Sequence, residues 1–404
     1  MKITIPRIRI SVKELLRWQL VFLIIALSGC VYFTQVTRRN TTIVFFALTI
    51  ISMYIEHKKL NRKCFFMASG MSIVLVLNYI LNISGMNNTN LIDYALLIIA
   101  IICIAGCTSV ISFDDFSSKY IRIMEIISVV SLICFYIQIS NVSLVHRIAN
   151  TAMLKGYTIS WFHTWGWSYI FSRNAGPFWE PGAFQGYLFI AVLLLLRTKD
   201  FEKHYGELAL LVFTIITTMS TTGYILLGIF GMYFMFLYAK KSMKTSREKG
   251  VALLRIFTIF IVVLVGVQYL MNSGTVVNKL NSANESYAYR ILHLTNSFSM
   301  VMERSVIGYG IMSQKLINMW GQFGVATNSV GLFTILQYFG IFTGSLYIIL
   351  NFRSTLRVFR PLNGSVICAF FVVLHLTESL LLFPVYISFM FLSLGFNKNR
   401  ENCE

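Results

Sequence analysis

Long apolar runs alternate with short polar connections along almost the whole chain. A helix needs about 20 apolar residues to cross the hydrocarbon core of a bilayer, and fewer where flanking side chains reach toward the interface. By this measure the pattern predicts twelve spanning helices, at roughly 18–36, 41–55, 64–83, 91–111, 123–139, 182–196, 207–221, 222–239, 256–271, 328–350, 362–377 and 379–396. It therefore predicts an all-α, polytopic integral membrane protein, organised as a single membrane domain over residues 1–404.

Two of the polar connections are much longer than the others, at 140–181 and 272–327. If the N-terminus is cytoplasmic, both lie on the outer face of the membrane. Long loops on one face of a helical bundle reach the solvent while the bundle holds them, so binding and catalytic residues are often found there. We therefore expect the chemistry of this protein in these two loops.

The distribution of basic residues supports this topology. Short cytoplasmic loops of membrane proteins carry an excess of Lys and Arg. With both termini in the cytoplasm, most of the 34 Lys and Arg residues fall on inner segments. The turn at Arg38 and Arg39 is the main exception, since it puts two positive charges outside. The first apolar run follows a basic start without a cleavage site, so we expect an uncleaved signal anchor.

Composition removes whole classes of function. The chain has 404 residues, of which 56% are hydrophobic and only 12% are charged. Soluble domains carry about 25% charged residues, so the sequence excludes a soluble enzyme, a disordered protein and a free nucleic-acid binder. The net charge of +18 is then explained by topology, and no nucleic-acid partner is expected. Cys103 and Cys107 share a helix face but lack His or carboxylate companions, so no metal or other cofactor is expected.

The first long loop is rich in tryptophan and ends in a charged motif. Four of the six Trp residues lie in it, namely Trp161, Trp165, Trp167 and Trp179. They fit either an interfacial aromatic belt or a platform on which sugar rings stack. Arg173 and Glu180 stand in otherwise uncharged surroundings, where ionisable groups are costly unless paired, so we predict a functional pair. Glu180 also suits the start of a helix whose first residue is Pro181.

The second long loop contains a helical pattern with a polar stripe. Its apolar side chains at 287, 291, 294, 298 and 301 predict an amphipathic helix on the outer surface. A polar stripe borders the apolar face, and it comprises Arg290, His293, Ser297 and Arg304. An arginine there can hold a lipid-linked phosphate through its fork of donors, or can simply extend toward the interface. We predict a catalytic role for Arg290 and substrate contacts for His293 and Arg304.

Two later polar residues are further candidates for substrate binding. Asn328 opens a late apolar run, where a helix cap is the simplest role for it alone. Glu378 is an acid at the predicted outer boundary of an apolar stretch that also contains His375. An acid at that depth is expensive unless it has a function or a partner.

These residues, in this order, resemble the Wzy-type O-antigen and polysaccharide polymerases, within the broader group that includes the O-antigen ligases. The resemblance covers about 160–345, and its features are Arg173…Gly176-Pro177-Phe178-Trp179-Glu180-Pro181-Gly182-Ala183-Phe184, the Ser220-Thr221-Thr222-Gly223-Tyr224 turn, the order Arg290…Gly308-Tyr309-Gly310 and the helix from Asn328 to Gly340. In the ligases a His commonly precedes the Asn of the late helix, whereas Thr327 stands there in this chain. This departure favours a polymerase and leaves the general base unassigned.

The resemblance implies a metal-independent membrane glycosyltransferase. Its substrates would be undecaprenyl-pyrophosphate-linked oligosaccharides at the periplasmic face of the bacterial inner membrane. Arg173 and Arg290 would stabilise charge on the departing pyrophosphate, and Glu180 would orient Arg173 or take the proton of the acceptor hydroxyl. The resemblance also implies a flippase and a chain-length regulator as partner proteins, besides the bilayer itself.

Two alternatives remain open. The first is an O-antigen ligase that transfers polymer to the lipid A core, against which the missing His argues. The second is a polysaccharide flippase or transporter. Flippases need ionisable groups inside the helical bundle, whereas the candidate charges Arg173, Glu180 and Arg290 stand in the long outer loops.

Overall fold

The computed structural model describes residues 11–141, 144, 153–154, 157–159, 162–166, 173–198, 201–242, 292–322, 328, 330–360 and 362–395. Its helices are α1 (Val12–Ala26), α2 (Arg38–Ile55), α3 (Arg62–Leu81), α4 (Asn88–Val110), α5 (Phe113–Ser140), α6 (Pro181–Leu196), α7 (Tyr205–Thr217), α8 (Thr221–Ser242), α9 (292–303), α10 (Gln314–Gln322), α11 (Gly331–Val358), α12 (Gly364–Thr377) and α13 (Pro384–Leu392). The predicted span at 256–271 lies outside the described residues. The all-α class of the prediction is confirmed.

A small antiparallel sheet lies in the first long loop. Its strands are β1 (Met153–Leu154), β2 (Tyr157–Ile159) and β3 (Thr164–Gly166), paired in the order β1-β2-β3. The hydrophobic pattern did not predict these strands, because they are only two or three residues long.

Four of the described helices are long and apolar enough to cross a membrane, namely α3, α4, α5 and α11. Shorter apolar helices accompany them, including α6, α7, α12 and α13. Apolar side chains on α2 and α3, such as Ile43 and Phe66, are exposed because they lie on the outside of the bundle. In a bilayer these side chains contact lipid, so their exposure costs no hydrophobic free energy.

Polar side chains set the starts of several helices. Ser11 accepts a hydrogen bond from the backbone of Glu14, and Ser112 accepts one from the backbone of Asp115. Asn87 and Asn90 form a reciprocal capping box at the start of α4. These bonds satisfy backbone N–H groups that have no partner within the helix.

Ion pairs join the helices at one end of the bundle, called here the ion-pair end. Arg17 of α1 binds both carboxylate oxygens of Glu56 at 2.7 Å and reaches Asp115 of α5 at 3.4 Å. The buried ammonium of Lys119 bonds to Asp115 and lies 2.7 Å from Glu14. Because each charge has at least one opposite partner, the cost of removing it from water is offset.

The connections at the other end, called here the loop end, are joined by backbone hydrogen bonds. The N–H of Val31 donates to the carbonyl of Pro177 at 2.8 Å, and the backbones of Cys30 and Phe178 form an isolated antiparallel β-bridge. The first connection of the chain therefore lies against the motif that precedes α6. Helix α6 follows at the centre of the bundle, where Gly182 through Leu195 are all buried.

Helix α11 is interrupted at Gly340, which has φ 76° and ψ 175°. The interruption leaves backbone N–H and C=O groups of α11 without partners in the helix, and the loop after α9 forms hydrogen bonds with them. Tyr309 N–H donates to the carbonyl of Gln337 at 2.7 Å, and Ile341 N–H donates to that of Ser305 at 2.6 Å. Inside a membrane, irregular backbone is tolerated only where such partners exist. Asn78 of α3 adds a side-chain hydrogen bond to the carbonyl of Tyr338 at 3.0 Å.

The loop after α9 and α11 approach each other closely at Gly308 and Gly340, a contact called here the crossing. We therefore expect the stability of the protein to be sensitive to an added methyl group at either glycine. A Cβ at Gly308 would lie 2.6 Å from backbone atoms of Tyr338 and Gly340, and one at Gly340 would overlap the carbonyl of Val306. Both glycines have positive φ. We expect Gly308→Ala and Gly340→Ala each to destabilise the protein by about 2–4 kcal/mol, measured as thermal unfolding in detergent.

The matched control is Gly228→Ala in α8, where a Cβ meets nothing within 4 Å. Alanine in an open helical position is stabilising by about 0.5–1 kcal/mol. Equal unfolding temperatures for Gly340→Ala and Gly228→Ala would contradict the proposed role of the crossing.

Candidate functional site

Three elements meet around Glu378, at the loop end of the bundle. Glu378 follows α12 as its C-terminal cap and is buried. Its carboxylate lies against Gly182 in the first turn of α6, so closely that a Cβ on Gly182 would overlap it. Its backbone carbonyl lies equally close to Gly331, the first residue of α11. Glycine at both positions is therefore what allows α6 and α11 to start beside this carboxylate.

Two carboxylates thus lie at the N-terminus of α6. Glu180 is the N-cap residue, in an extended conformation, and Pro181 follows at the first helical position. The Glu180 side chain makes no capping bond. The helix N-terminus carries a partial positive charge, which attracts negatively charged groups.

The side chain of Glu180 is held by an aromatic pair. Its Oε1 accepts a hydrogen bond from the indole Nε1 of Trp179 at 2.8 Å. The Trp179 ring stacks on Phe383 with centroids 5.2 Å apart and also covers Gly29. Of the two described tryptophans predicted to contact sugar, Trp165 and Trp179, Trp179 therefore lies directly beside a predicted catalytic residue.

Arg173 binds the connection between α7 and α8. Its Nε donates to the carbonyl of Thr218 at 3.1 Å. The next residue, Asn174, is buried and bonds to both the backbone and the side chain of Thr217. The hydrogen bonds described for Arg173 and Glu180 go to Thr218 and Trp179, and the pairing of these two charged side chains stays a prediction.

The remaining tryptophans of the first loop give a mixed result. Trp165 is 2% exposed and packs against Cys134 of α5, so the expectation of an exposed platform is wrong for this ring. The reason is strand β3, which directs Trp165 toward the bundle while the loop is pinned by a hydrogen bond from Thr164 N–H to the Gly176 carbonyl at 2.7 Å. Trp161 and Trp167 lie outside the described residues.

Sequence reasoning missed His163, which is fully buried beside Trp165. The two ring centroids are 4.6 Å apart. Burial lowers the pKa of the His163 imidazole to about 3, so the ring is neutral at physiological pH. A histidine two residues from a tryptophan in an aromatic loop carries no distinctive signal, and only the packing reveals its environment.

Helix α9 packs a polar face against the protein and leaves an apolar face exposed. Its polar residues His293 and Ser297 are buried against the protein, and Leu294, Phe298 and Met302 are exposed. The physical reason is the bilayer, in which exposed apolar side chains are favourable and polar side chains need protein partners. Arg290 lies outside the described residues.

His293 contacts the helix that follows α9. Its ring lies 5.2 Å from that of Trp320 in α10, and burial lowers the pKa of its imidazole. The substrate contact of His293 remains a prediction. Any such contact would be made on the face of α9 that packs against the protein.

Arg304 has partners within the protein. Its Nη1 donates to Oδ1 of Asn82 at 2.9 Å, and its guanidinium lies 5.5 Å from the ring centroid of Tyr309. These contacts fasten the end of α9 to the end of α3. A substrate contact of Arg304 stays a prediction, beside this structural role.

Asn328 does not cap α11, because the N-cap residue is Val330. Asn328 instead accepts a hydrogen bond from the Val330 N–H at 2.9 Å and donates to Oε1 of Gln337 at 3.3 Å. The helix starts later because Gly331 packs against Glu378. Asn328 thereby lies three residues from that contact.

The comparisons with known proteins identify one family. Residues 208–348 match the family model described as O-antigen ligase, Wzy_C. The match runs from α7 to the part of α11 beyond Gly340. The chain matches no curated protein and no solved structure. Residues 208–348 are therefore similar to an O-antigen ligase domain, and the long apolar helices indicate a membrane protein.

The contact between Gly182 and Glu378 generates a prediction. Gly182→Ala forces the carboxylate to move, and we expect a destabilisation of about 1–3 kcal/mol by thermal unfolding. In a Glu378→Ala background the same substitution meets no carboxylate, so most of this cost disappears. Gly70→Ala, with no neighbour within 4 Å, is the control. Additive effects of Gly182→Ala and Glu378→Ala would show that the two residues do not touch.

The burial of His163 generates a pH prediction. In the unfolded chain its pKa is about 6.5, so the unfolded state takes up a proton as the pH falls through that value while the folded state does not. Stability is therefore complete above pH 6.5 and decreases toward pH 3. At pH 5 the loss is about 2 kcal/mol relative to pH 7.5.

The measurement compares thermal unfolding at the two pH values for the wild type and for His163→Leu, which lacks the titrating group. We expect the variant to show a smaller pH dependence. The control His57→Asn removes an exposed histidine and retains a residue that tolerates its positive φ. A His163→Leu variant with the same pH dependence as the wild type would refute the assignment.

Proposed function

From the O-antigen ligase-like domain of this protein and the charged cluster at the start of α6, we propose that it polymerises undecaprenyl-pyrophosphate-linked oligosaccharide repeat units into O-antigen or a related surface polysaccharide. The observation that supports this most is the placement of Glu180, Glu378 and Arg173 at one end of a membrane bundle. In this proposal the loop end faces the periplasm, and both termini lie on the cytoplasmic side of the bacterial inner membrane.

The reaction joins two lipid-linked substrates. A hydroxyl at the non-reducing end of one repeat unit attacks the anomeric carbon of the growing chain. The bond from that carbon to undecaprenyl pyrophosphate breaks, and the pyrophosphate leaves with the electron pair. The hydroxyl proton goes to a base. Negative charge therefore develops on the leaving group, and positive groups fixed nearby lower the barrier.

Arg173 is the described residue suited to that charge. Its Nε bond to the Thr218 carbonyl fixes the plane of the guanidinium, so little reorganisation is needed when charge appears. Arg290, on the second long loop, is proposed as the second cation. In this scheme the arginines supply the positive charge that a metal supplies in other glycosyltransferases.

Glu180 is proposed as the proton acceptor. It is only half-buried, and the Trp179 indole orients its carboxylate, so a substrate hydroxyl can approach it. Glu378 is more deeply buried and is proposed to hold the start of α6 and to bind the sugar at its edge.

A ligase is the second candidate, because the matching family model is described as O-antigen ligase. A ligase would transfer finished polymer to the lipid A core. Thr327 stands where the ligases commonly have a His, and this favours the polymerase. A polymerase is also expected to work with a flippase and a chain-length regulator.

The test is gel electrophoresis of lipopolysaccharide from the native host after deletion and restoration of the gene. A polymerase predicts core with a single repeat unit in the deletion strain. A ligase predicts bare core together with accumulated lipid-linked polymer. Bare core without such polymer would indicate the flippase.

Restoration with variants tests the site. We expect Arg173→Gln and Glu180→Gln to lower the turnover number about 100-fold or more, because each removes a group that acts in the transition state. Both should leave the protein abundance unchanged and fail to restore the ladder. Arg62→Gln, at the ion-pair end, is the control and should restore it. Wild-type ladders from both site variants would reject the assignment.

A further inference from the structure

A groove of about 460 Å³ opens between α2 and α4 at the loop end. Most of its lining residues are polar, including Thr34, Thr37, Arg38, Arg39, Thr89 and Asp93. The groove begins three residues after Val31, whose backbone is bonded to Pro177 in the motif that precedes α6. It is thus a neighbour of the candidate site, although it shares no lining residue with it.

The two arginines of the groove differ in their partners. Arg38 forms an ion pair with Asp93. Arg39 is exposed, and it makes no ion pair or hydrogen bond with the residues that the structure describes. Within the described part of the chain its positive charge is therefore uncompensated, and the sequence had already marked it as an exception to the charge distribution of the topology. Arginine presents a planar fork of donors that matches phosphate oxygens.

A lipid-facing stripe continues below Arg39 along α2. The stripe comprises Ile43, Phe46 and Ile50, which are 62%, 42% and 52% exposed. These residues follow Arg39 at spacings of four, seven and eleven, so they share one face of the helix. A ligand with a phosphate head and a hydrocarbon tail fits this arrangement, with the head at Arg39 and the tail on the stripe.

We propose that this groove binds the diphosphate of the acceptor, the second lipid-linked substrate; the proposal rests on the polymerase function above. Polymerisation needs two lipid diphosphates at the same membrane face at once. The diphosphate of the donor leaves at Arg173. The acceptor reacts at its far sugar, so its own diphosphate lies one repeat unit away and needs a separate anion site. The groove supplies such a site at the same end of the bundle.

The first experiment counts bound lipid on the full-length protein in nanodiscs of phosphatidylcholine, with radiolabelled undecaprenyl diphosphate as the probe. We expect two molecules per wild-type protein at saturation, one for Arg39→Gln and one for Arg173→Gln. Arg62→Gln removes an arginine from the opposite end and should still bind two. Two molecules on Arg39→Gln would overturn the proposal.

A competition arm distinguishes the acceptor from bulk lipid, since basic side chains at a membrane surface also attract anionic headgroups. In Arg173→Gln, the remaining probe should resist phosphatidylglycerol present at the same mole fraction. Displacement by phosphatidylglycerol would mean that the groove holds an ordinary headgroup, and the proposal would be wrong.

A kinetic arm tests the role in the reaction. Loss of the charged fork should raise the KM for the lipid-linked repeat unit about tenfold in Arg39→Gln and leave kcat nearly unchanged, because the acceptor diphosphate does not react. Arg39→Lys keeps the charge but lacks the planar fork of donors, so its KM should lie between those of the wild type and Arg39→Gln. An unchanged KM would contradict the inference. If wild-type protein makes no polymer at all, the proposed function fails, while the binding count still reports on the groove.

Discussion

The requirement that every backbone hydrogen-bonding group inside a membrane has a partner governs this structure. Helix α11 breaks at Gly340, and the carbonyl groups released there are bound by Tyr309 and Gly310. This crossing fixes α11 against α3 and against the loop after α9. The part of α11 before the break begins at Gly331, which lies against Glu378. The position of the candidate site therefore depends on a set of backbone bonds some distance from it.

The ion-pair end joins helices through ion pairs, whereas the charged residues of the candidate site lie at the loop end. At the ion-pair end, Arg17, Lys119 and their acidic partners neutralise one another and join α1, α2 and α5. At the loop end, Glu180 and Glu378 lie at a helix N-terminus, and Arg173 binds a backbone carbonyl. These charges lie near the start of α6, where the proposed transfer of a charged leaving group would use them.

The two proposals share one physical picture, in which a lipid-linked substrate is held by its phosphates at the membrane surface and by its tail along the bundle. In this picture Arg173 would act on a phosphate that leaves, so its effect is on turnover. Arg39 would hold a phosphate that stays, so its effect is on affinity. The bond between Val31 and Pro177 connects the two regions, so the distance between donor and acceptor would be set by the fold and not by diffusion.

The sequence by itself determined the all-α membrane class and the positions of most of the described apolar helices, because hydrophobic periodicity and length depend on local residues alone. It also pointed to Glu180 and Arg173, since charges are conspicuous in an apolar chain. Only the tertiary structure decided which residues meet. The contact of Gly182 with Glu378, the burial of Trp165 and the inward polar face of α9 each depend on a partner far away in the sequence. Such contacts leave no periodic signal, because glycine, tryptophan and histidine are equally compatible with exposed and buried positions until the neighbouring helix is known.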